Sequence, residues 1–143
     1  MGGELRALVE AHYAQVDAKE WDAGEDVFSP DVETSMPGAG KLSGLDAFRA
    51  MGQAFATAFP DMHLSLEDVV AESEGTIVVE GRLRGTHTGP LRTPAGAEIP
   101  ATGRTIDLPY CDIFEARDGR VVSHRVYFDR LELMEQLGLA PSA

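Results

Sequence analysis

Hydrophobic positions along the chain follow two periods. Leu5, Leu8, Val9, His12, Tyr13 and Val16 recur at helical spacing with Glu4, Arg6, Glu10 and Gln15 between them. That pattern predicts an amphipathic first helix with one buried face. A short second helix is expected around Trp21 to Phe28, anchored by Trp21 and stopped at Ser29-Pro30, because a proline disfavours helical geometry in the residue before it. Ser43 followed by Asp46 resembles a capping box, and Phe48, Met51, Phe55 and Phe59 then trace one stripe of a third helix up to Pro60.

From Met62 the period falls to two. Met62, Leu64 and Leu66 alternate with His63, Ser65 and Glu67, and after a turn over Glu72 to Gly75 the residues Ile77, Val79 and Leu83 alternate with Glu80, Arg82 and Arg84. Gly81 inside this second strand predicts a bulge that bends the sheet. The Gly/Pro-rich stretch between His87 and Arg104 is long enough to be a working loop at a cavity mouth or subunit contact. Two closing strands, Thr105 to Ala116 and Arg120 to Asp129, precede a short helix through Leu131, Met134 and Leu137 that ends at Gly138. Helices first and strands after them predict an α+β fold, and 143 residues suit a single domain over 1–143.

The last hairpin carries the candidate chemistry, because strand register decides which side chains meet. A two-residue loop at Asp118-Gly119 would pair Ile113 with His124 and Asp112 with Arg125, mixing charged and apolar residues on both faces. A three-residue loop, Arg117-Asp118-Gly119, pairs Phe114 with Val122, Asp112 with His124, Tyr110 with Val126 and Leu108 with Phe128. The binary pattern selects the second register. One face is then almost wholly apolar, with Asp112 and His124 directly opposite each other, and the other carries Asp107, Glu115, Ser123, Arg125 and Asp129. Such a dyad can move protons, or it can simply satisfy itself inside a core.

Charge and composition remove several alternatives. A net charge of −12 opposes binding to nucleic acid or anionic lipid, no apolar run is long enough to span a bilayer, and Cys111 as the lone cysteine fits a reducing, cytoplasmic setting. The four histidines are scattered with no ligand spacing, so neither metal nor cofactor is expected, and Gly38-Ala39-Gly40 reads as a plain turn. His63 is expected at the surface, and His12 on the inner stripe of the first helix is more often packing than chemistry. His87 stands within reach of a ligand or of the loop over the pocket, although a histidine between glycines at a strand end more often orders its own loop.

Gly85-Thr86-His87-Thr88-Gly89, Pro100-Ala101-Thr102-Gly103-Arg104, Asp118-Gly119-Arg120 and the ending Phe128-Asp129 through Gln136-Leu137-Gly138 resemble the SnoaL-like polyketide cyclases, of the superfamily that includes nuclear transport factor 2 and ketosteroid isomerase. The resemblance implies a cone-shaped α+β barrel, a curved and mostly antiparallel sheet wrapped around N-terminal helices with one internal pocket. It also implies, in the antibiotic-pathway cyclases, an Asp on the final strand and a His on the preceding one serving an aldol closure. Aligned on the Asp-Gly turn, Val126 stands where that Asp would be and Asp112 where that His would be, so the acid/base role moves to Asp112 with His124.

A small apolar molecule is the expected ligand, bound by Tyr13, Trp21, Met51, Phe55, His87, Tyr110, Phe114, Val126 and Phe128, with the Tyr110 hydroxyl steadying an enolate. The leading reading is a cofactor-independent cyclase or isomerase acting on a polyketide-like or steroid-like carbonyl compound. The alternatives are a binding protein without turnover, or a dimerisation domain. The outer sheet face with Tyr127 is the expected homodimer contact.

Overall fold

The computed structural model describes residues 2–93 and 96–139. Helix α1 (Gly2–Asp17) leads into β1 (Phe28–Met36), β2 (Gly40–Ser43), helix α2 (Leu45–Ala58), β3 (His63–Ser73) and β4 (Thr76–Thr86). The short strands β5 (Leu91–Arg92) and β6 (Glu98–Ile99) follow, then β7 (Thr105–Arg117), β8 (Arg120–Phe128) and helix α3 (Arg130–Gln136). Six strands form one sheet in the order β2-β1-β8-β7-β4-β3, antiparallel throughout except for β1 beside β8. The result is a mostly antiparallel sheet with three helices among the described residues, the cone-shaped α+β architecture. No helix of the described residues is long and apolar enough to cross a membrane.

The alternating runs became strands as the period-two pattern requires. In β4 the buried residues Ile77, Val79, Gly81, Leu83 and Gly85 alternate with more exposed neighbours, and in β7 Ile106, Leu108, Tyr110, Asp112 and Phe114 do the same. Leu5, Val9 and Tyr13 of α1 bury against this face beside β3 and β4, and α2 covers the same face beside β1 and β2, with Leu45, Ala58 and its neighbour Phe59 buried.

The sheet bends beside Gly81. The β3 register shifts between Leu66 and Asp68, opposite Gly81 and Glu80, so the extra residue lies on β3 and the glycine on its partner. A Cβ at Gly81 would sit 1.7 Å from the Ser65 carbonyl oxygen and 2.6 Å from the Tyr110 hydroxyl. The Tyr110 ring therefore crosses the strand where only glycine fits, and its hydroxyl donates to that Ser65 carbonyl at 2.9 Å.

Several expectations need correction. Trp21 to Val27 is a run of turns, and β1, which begins at Phe28, then passes through Pro30. The proline is tolerated because the β1–β8 ladder is irregular between Phe28 and Glu33, so no ladder bond needs its missing N–H. Ser43 is the last residue of β2 and caps nothing; α2 starts from Gly44 at φ 93, without a side-chain cap. The turn expected over Glu72 to Gly75 narrows to Glu74 and Gly75.

The hairpin turn is the two-residue one, with Asp118 and Gly119 both left-handed at φ 54 and 77, as a type I′ turn requires. Val122 is then an extra residue between the pairs Ala116/Val121 and Glu115/Ser123. Turn and bulge together pair Phe114 with His124, Asp112 with Val126 and Tyr110 with Phe128, two residues away from the expected register. An even displacement leaves every side chain below the bulge on its expected face. Above it, Val121 rather than Val122 is buried.

The 87–104 connection is pinned at its root. The Thr88 and Gly89 amides both donate to the Ala58 carbonyl at the end of α2, the His87 amide donates to the Arg104 carbonyl, and the Gly103 amide donates to the His87 carbonyl. Asp61 clamps the same region from Oδ1 and Oδ2 to the Thr86 amide and hydroxyl, both at 2.7 Å, and these bonds hold its carboxyl below the ordinary range.

Candidate active site

The bulge decides how Asp112 and His124 meet. They are diagonal neighbours on the inner face, not opposite partners, and their side chains converge so that His124 Nε2 lies 3.4 Å from Asp112 Oδ2. Both are sealed from solvent, at 4% and 2% exposure. Directly opposite His124 stands Phe114, its ring stacked on the imidazole at 4.3 Å and 11°. Directly opposite Asp112 stands Val126, so the two positions matched to the cyclase pair do face each other across the strands.

Tyr13 reaches the pair from α1. Its hydroxyl donates to Asp112 Oδ2 at 2.5 Å, which leaves Oδ1 without a partner. Both ring nitrogens of His124 are likewise unpartnered, as is the hydroxyl of Thr34, the β1 residue registered beside His124. Buried polar atoms are nearly always satisfied, and a cluster of orphans marks either stored strain or a place for a ligand.

His12 completes the polar cluster. Its ring lies 5.3 Å from that of His124 and 4.8 Å from that of Tyr13, inside a box closed by Phe28 and Phe48. Burial first, and then the neighbouring charge of His124, hold the His12 imidazole well below its ordinary range. Burial, followed by the charge of Asp112, pushes the Tyr13 hydroxyl far up, so it remains a donor at any working pH. Tyr110 is also pushed up, chiefly by burial.

His12, Tyr110, Asp112 and His124 line a partly open cavity of about 110 Å³ whose walls are mostly apolar. Of the residues singled out in the sequence, Asp112, His124, Trp21, Met51, Phe55, Tyr110, Val126 and Phe128 line it. Trp21 seats its ring against Gly52 of α2, where an added Cβ would come within 3.3 Å, so it forms part of the helical wall.

Three expected lining residues lie outside this wall. Tyr13 stands behind Asp112 and touches the site through its hydrogen bond, and Phe114 stands behind His124. His87 is fully buried against Phe59, its Nδ1 accepting from the Thr102 amide, so it orders its own loop. The Tyr110 hydroxyl is committed to Ser65 and cannot also donate to an enolate. His63 is a surface residue paired with Asp17 at 2.8 Å.

Other wall residues were not anticipated as such. His12 and Phe48 could be placed on inner stripes by their spacing, and Met36 by the alternation Val32, Thr34, Met36 that β1 shows. Arg49 gave no signal. It braces the Asp22 and Ala23 carbonyls and so holds the turns that carry Trp21.

The family model for SnoaL-like polyketide cyclases matches residues 6–137. Among solved structures, a protein assigned as a SnoaL-like polyketide cyclase from Jannaschia sp. CCS1 is 22% identical, with 99% of this chain and 95% of that one covered at a TM-score of 0.84. TsrD from Streptomyces laurentii is 26% identical, with 96% of each chain covered at 0.80. An uncharacterised protein from Mycobacterium tuberculosis is 37% identical over 67 residues, 43% of this chain. The match spans about half the length of that relative, 51%.

Proposed function

Because the chain belongs to the SnoaL-like polyketide cyclase family, we propose that it performs cofactor-independent acid/base chemistry of the cyclase or isomerase type on an apolar carbonyl compound, with Asp112 moving the proton. The observation that carries this reading is the asymmetry of one carboxylate. Tyr13 holds Oδ2, while Oδ1 has no protein partner and the residue lines an apolar cavity. A base held on one oxygen and free on the other is preoriented for abstraction from carbon.

In an aldol closure, Oδ1 takes the proton from the carbon beside a carbonyl. The enolate carbon then bonds to a second carbonyl carbon of the same molecule, and the alkoxide so formed recovers the proton from Asp112. His124 carries an N–H in either tautomer and, with both nitrogens unpartnered, is the donor for the enolate oxygen. An apolar wall strengthens both contacts by excluding water. Tyr13 is a positioning residue in this scheme.

The second reading, a binding protein without turnover, draws support from Val126, which puts an inert side chain opposite Asp112. The two separate on deuterium exchange at the carbon beside the carbonyl of apolar ketones, followed by NMR. The reactive reading expects exchange that falls by about 10²- to 10⁴-fold in Asp112→Asn with the fold retained. Wild-type rates in Asp112→Asn remove Asp112 from the chemistry, and ketone-induced thermal stabilisation with no exchange by the wild type favours the binder.

A further inference from the structure

Resting on the reading of the inner cavity as the reaction chamber, we infer that the ligand is an elongated anion. Its reacting end occupies that cavity, its apolar body fills an adjoining outer chamber, and an anionic group at the far end meets Arg92 and Arg130. The inner cavity, about 110 Å³, holds a fragment on the order of one ring, well short of the 300 Å³ or more that drug-sized ligands occupy. The outer chamber offers about 400 Å³, and the two share Met36, Met51, Phe55 and Phe128 as common wall. Thioether chains at that collar repack easily, so the two spaces form one two-part site.

The polarity of the outer chamber is one-sided. Among the described residues its lining is apolar apart from Arg92, Thr93 and Arg130, and contains no carboxylate. Its two charged residues are thus both basic, in a chain with 24 acidic and 12 basic residues. Both arginines are exposed, and among the described residues neither lies within ion-pair distance of a carboxylate. Glu98 is the cross-strand partner of Arg92 yet makes no such pair with it. Arg130 lies over the Gly38 turn, where an added Cβ would come 2.8 Å from its Nε, so the turn leaves room for the guanidinium at the chamber edge. Two unpaired guanidiniums beside an apolar chamber suit a carboxylate on a greasy body.

The probe is 1-pyrenebutyrate, titrated by fluorescence beside its neutral analogue 1-pyrenebutanol. Wild type should bind the anion roughly fivefold to tenfold more tightly at low salt, as expected for two partly exposed ion pairs. Arg92→Gln/Arg130→Gln should erase that preference while leaving the alcohol within about twofold of wild type. Equal binding of both probes by the wild type, or equal weakening of both in the double variant, overturns the inference. Asp112→Asn separates it from the reading above: a kept anion preference with undiminished deuterium exchange sinks only the chemistry, whereas lost exchange without any anion preference sinks only the outer chamber.

Discussion

The two faces of the β7–β8 hairpin carry similar pairs in opposite surroundings. On the outer face, Arg125 and Glu115 are diagonal cross-strand neighbours that meet at 2.9 Å with side chains 37% and 42% exposed. On the inner face, His124 and Asp112 are also diagonal neighbours, yet they stay 3.4 Å apart without hydrogen-bond geometry and leave three nitrogen or oxygen atoms unpartnered. The tighter pair is screened by water and contributes little. The looser one sits where each unmade bond is costly and each new bond to a ligand is strong. Isolation from solvent, rather than closeness, sets what each bond made or left unmade is worth.

Substitutions on the two faces should separate accordingly. Asp112→Leu combined with Tyr13→Phe removes the inner polar contact, and the unfolding free energy in urea should rise by about 1–3 kcal/mol while exchange activity disappears. A fall of that size would mean that the inner pair holds the fold together.

Acidification is the next largest effect. Burial depresses His12 and His87 below their ordinary value of 6.5, so below that pH the unfolded chain binds protons that the folded chain refuses. Their contribution is complete above pH 6.5 and is lost as pH falls towards the folded values. The urea midpoint should thus drop between pH 7 and 5.5, by roughly 1 kcal/mol in stability. His12→Phe should flatten part of that slope, and a pH-independent midpoint in the wild type would contradict a neutral buried imidazole. Smallest of all, Glu115→Gln on the outer face should shift stability by less than about 0.5 kcal/mol at any of these pH values.

The sequence disclosed the faces of this hairpin but not its register. Apolar alternation demands that Asp112 and His124 share a side, and a three-residue turn meets that demand with local chemistry alone. The chain meets it differently, with a tight Asp118-Gly119 turn and a bulge at Val122. That bulge lies between Val121 and Ser123, where β1 runs alongside and its own ladder skips from Phe28 to Glu33. No local signal around Val122 reports a parallel neighbour from ninety residues away, so the adjustment was illegible. β1 itself was obscured because Pro30 reads as a helix stop, and a stop is also compatible with a strand whose pairing lapses at that point. The stripes of α1 and α2 were plain, since Leu5, Val9 and Tyr13 or Phe48, Met51 and Phe55 are set by the helical period whatever they pack against. The role of Tyr13 was not, because its grip on Asp112 links residues 99 positions apart.

The crossing of Tyr110 over Gly81 limits how such a chamber can diverge. One wall is fixed, because any side chain at position 81 would collide with the Ser65 carbonyl and the tyrosine together. The opposite wall is built from Trp21, Met51 and Phe55, whose side chains can shrink or lengthen without disturbing a backbone ladder. Laboratory selection for a bulkier or slimmer guest should accordingly accumulate its changes on the helical side and leave the strand glycine untouched.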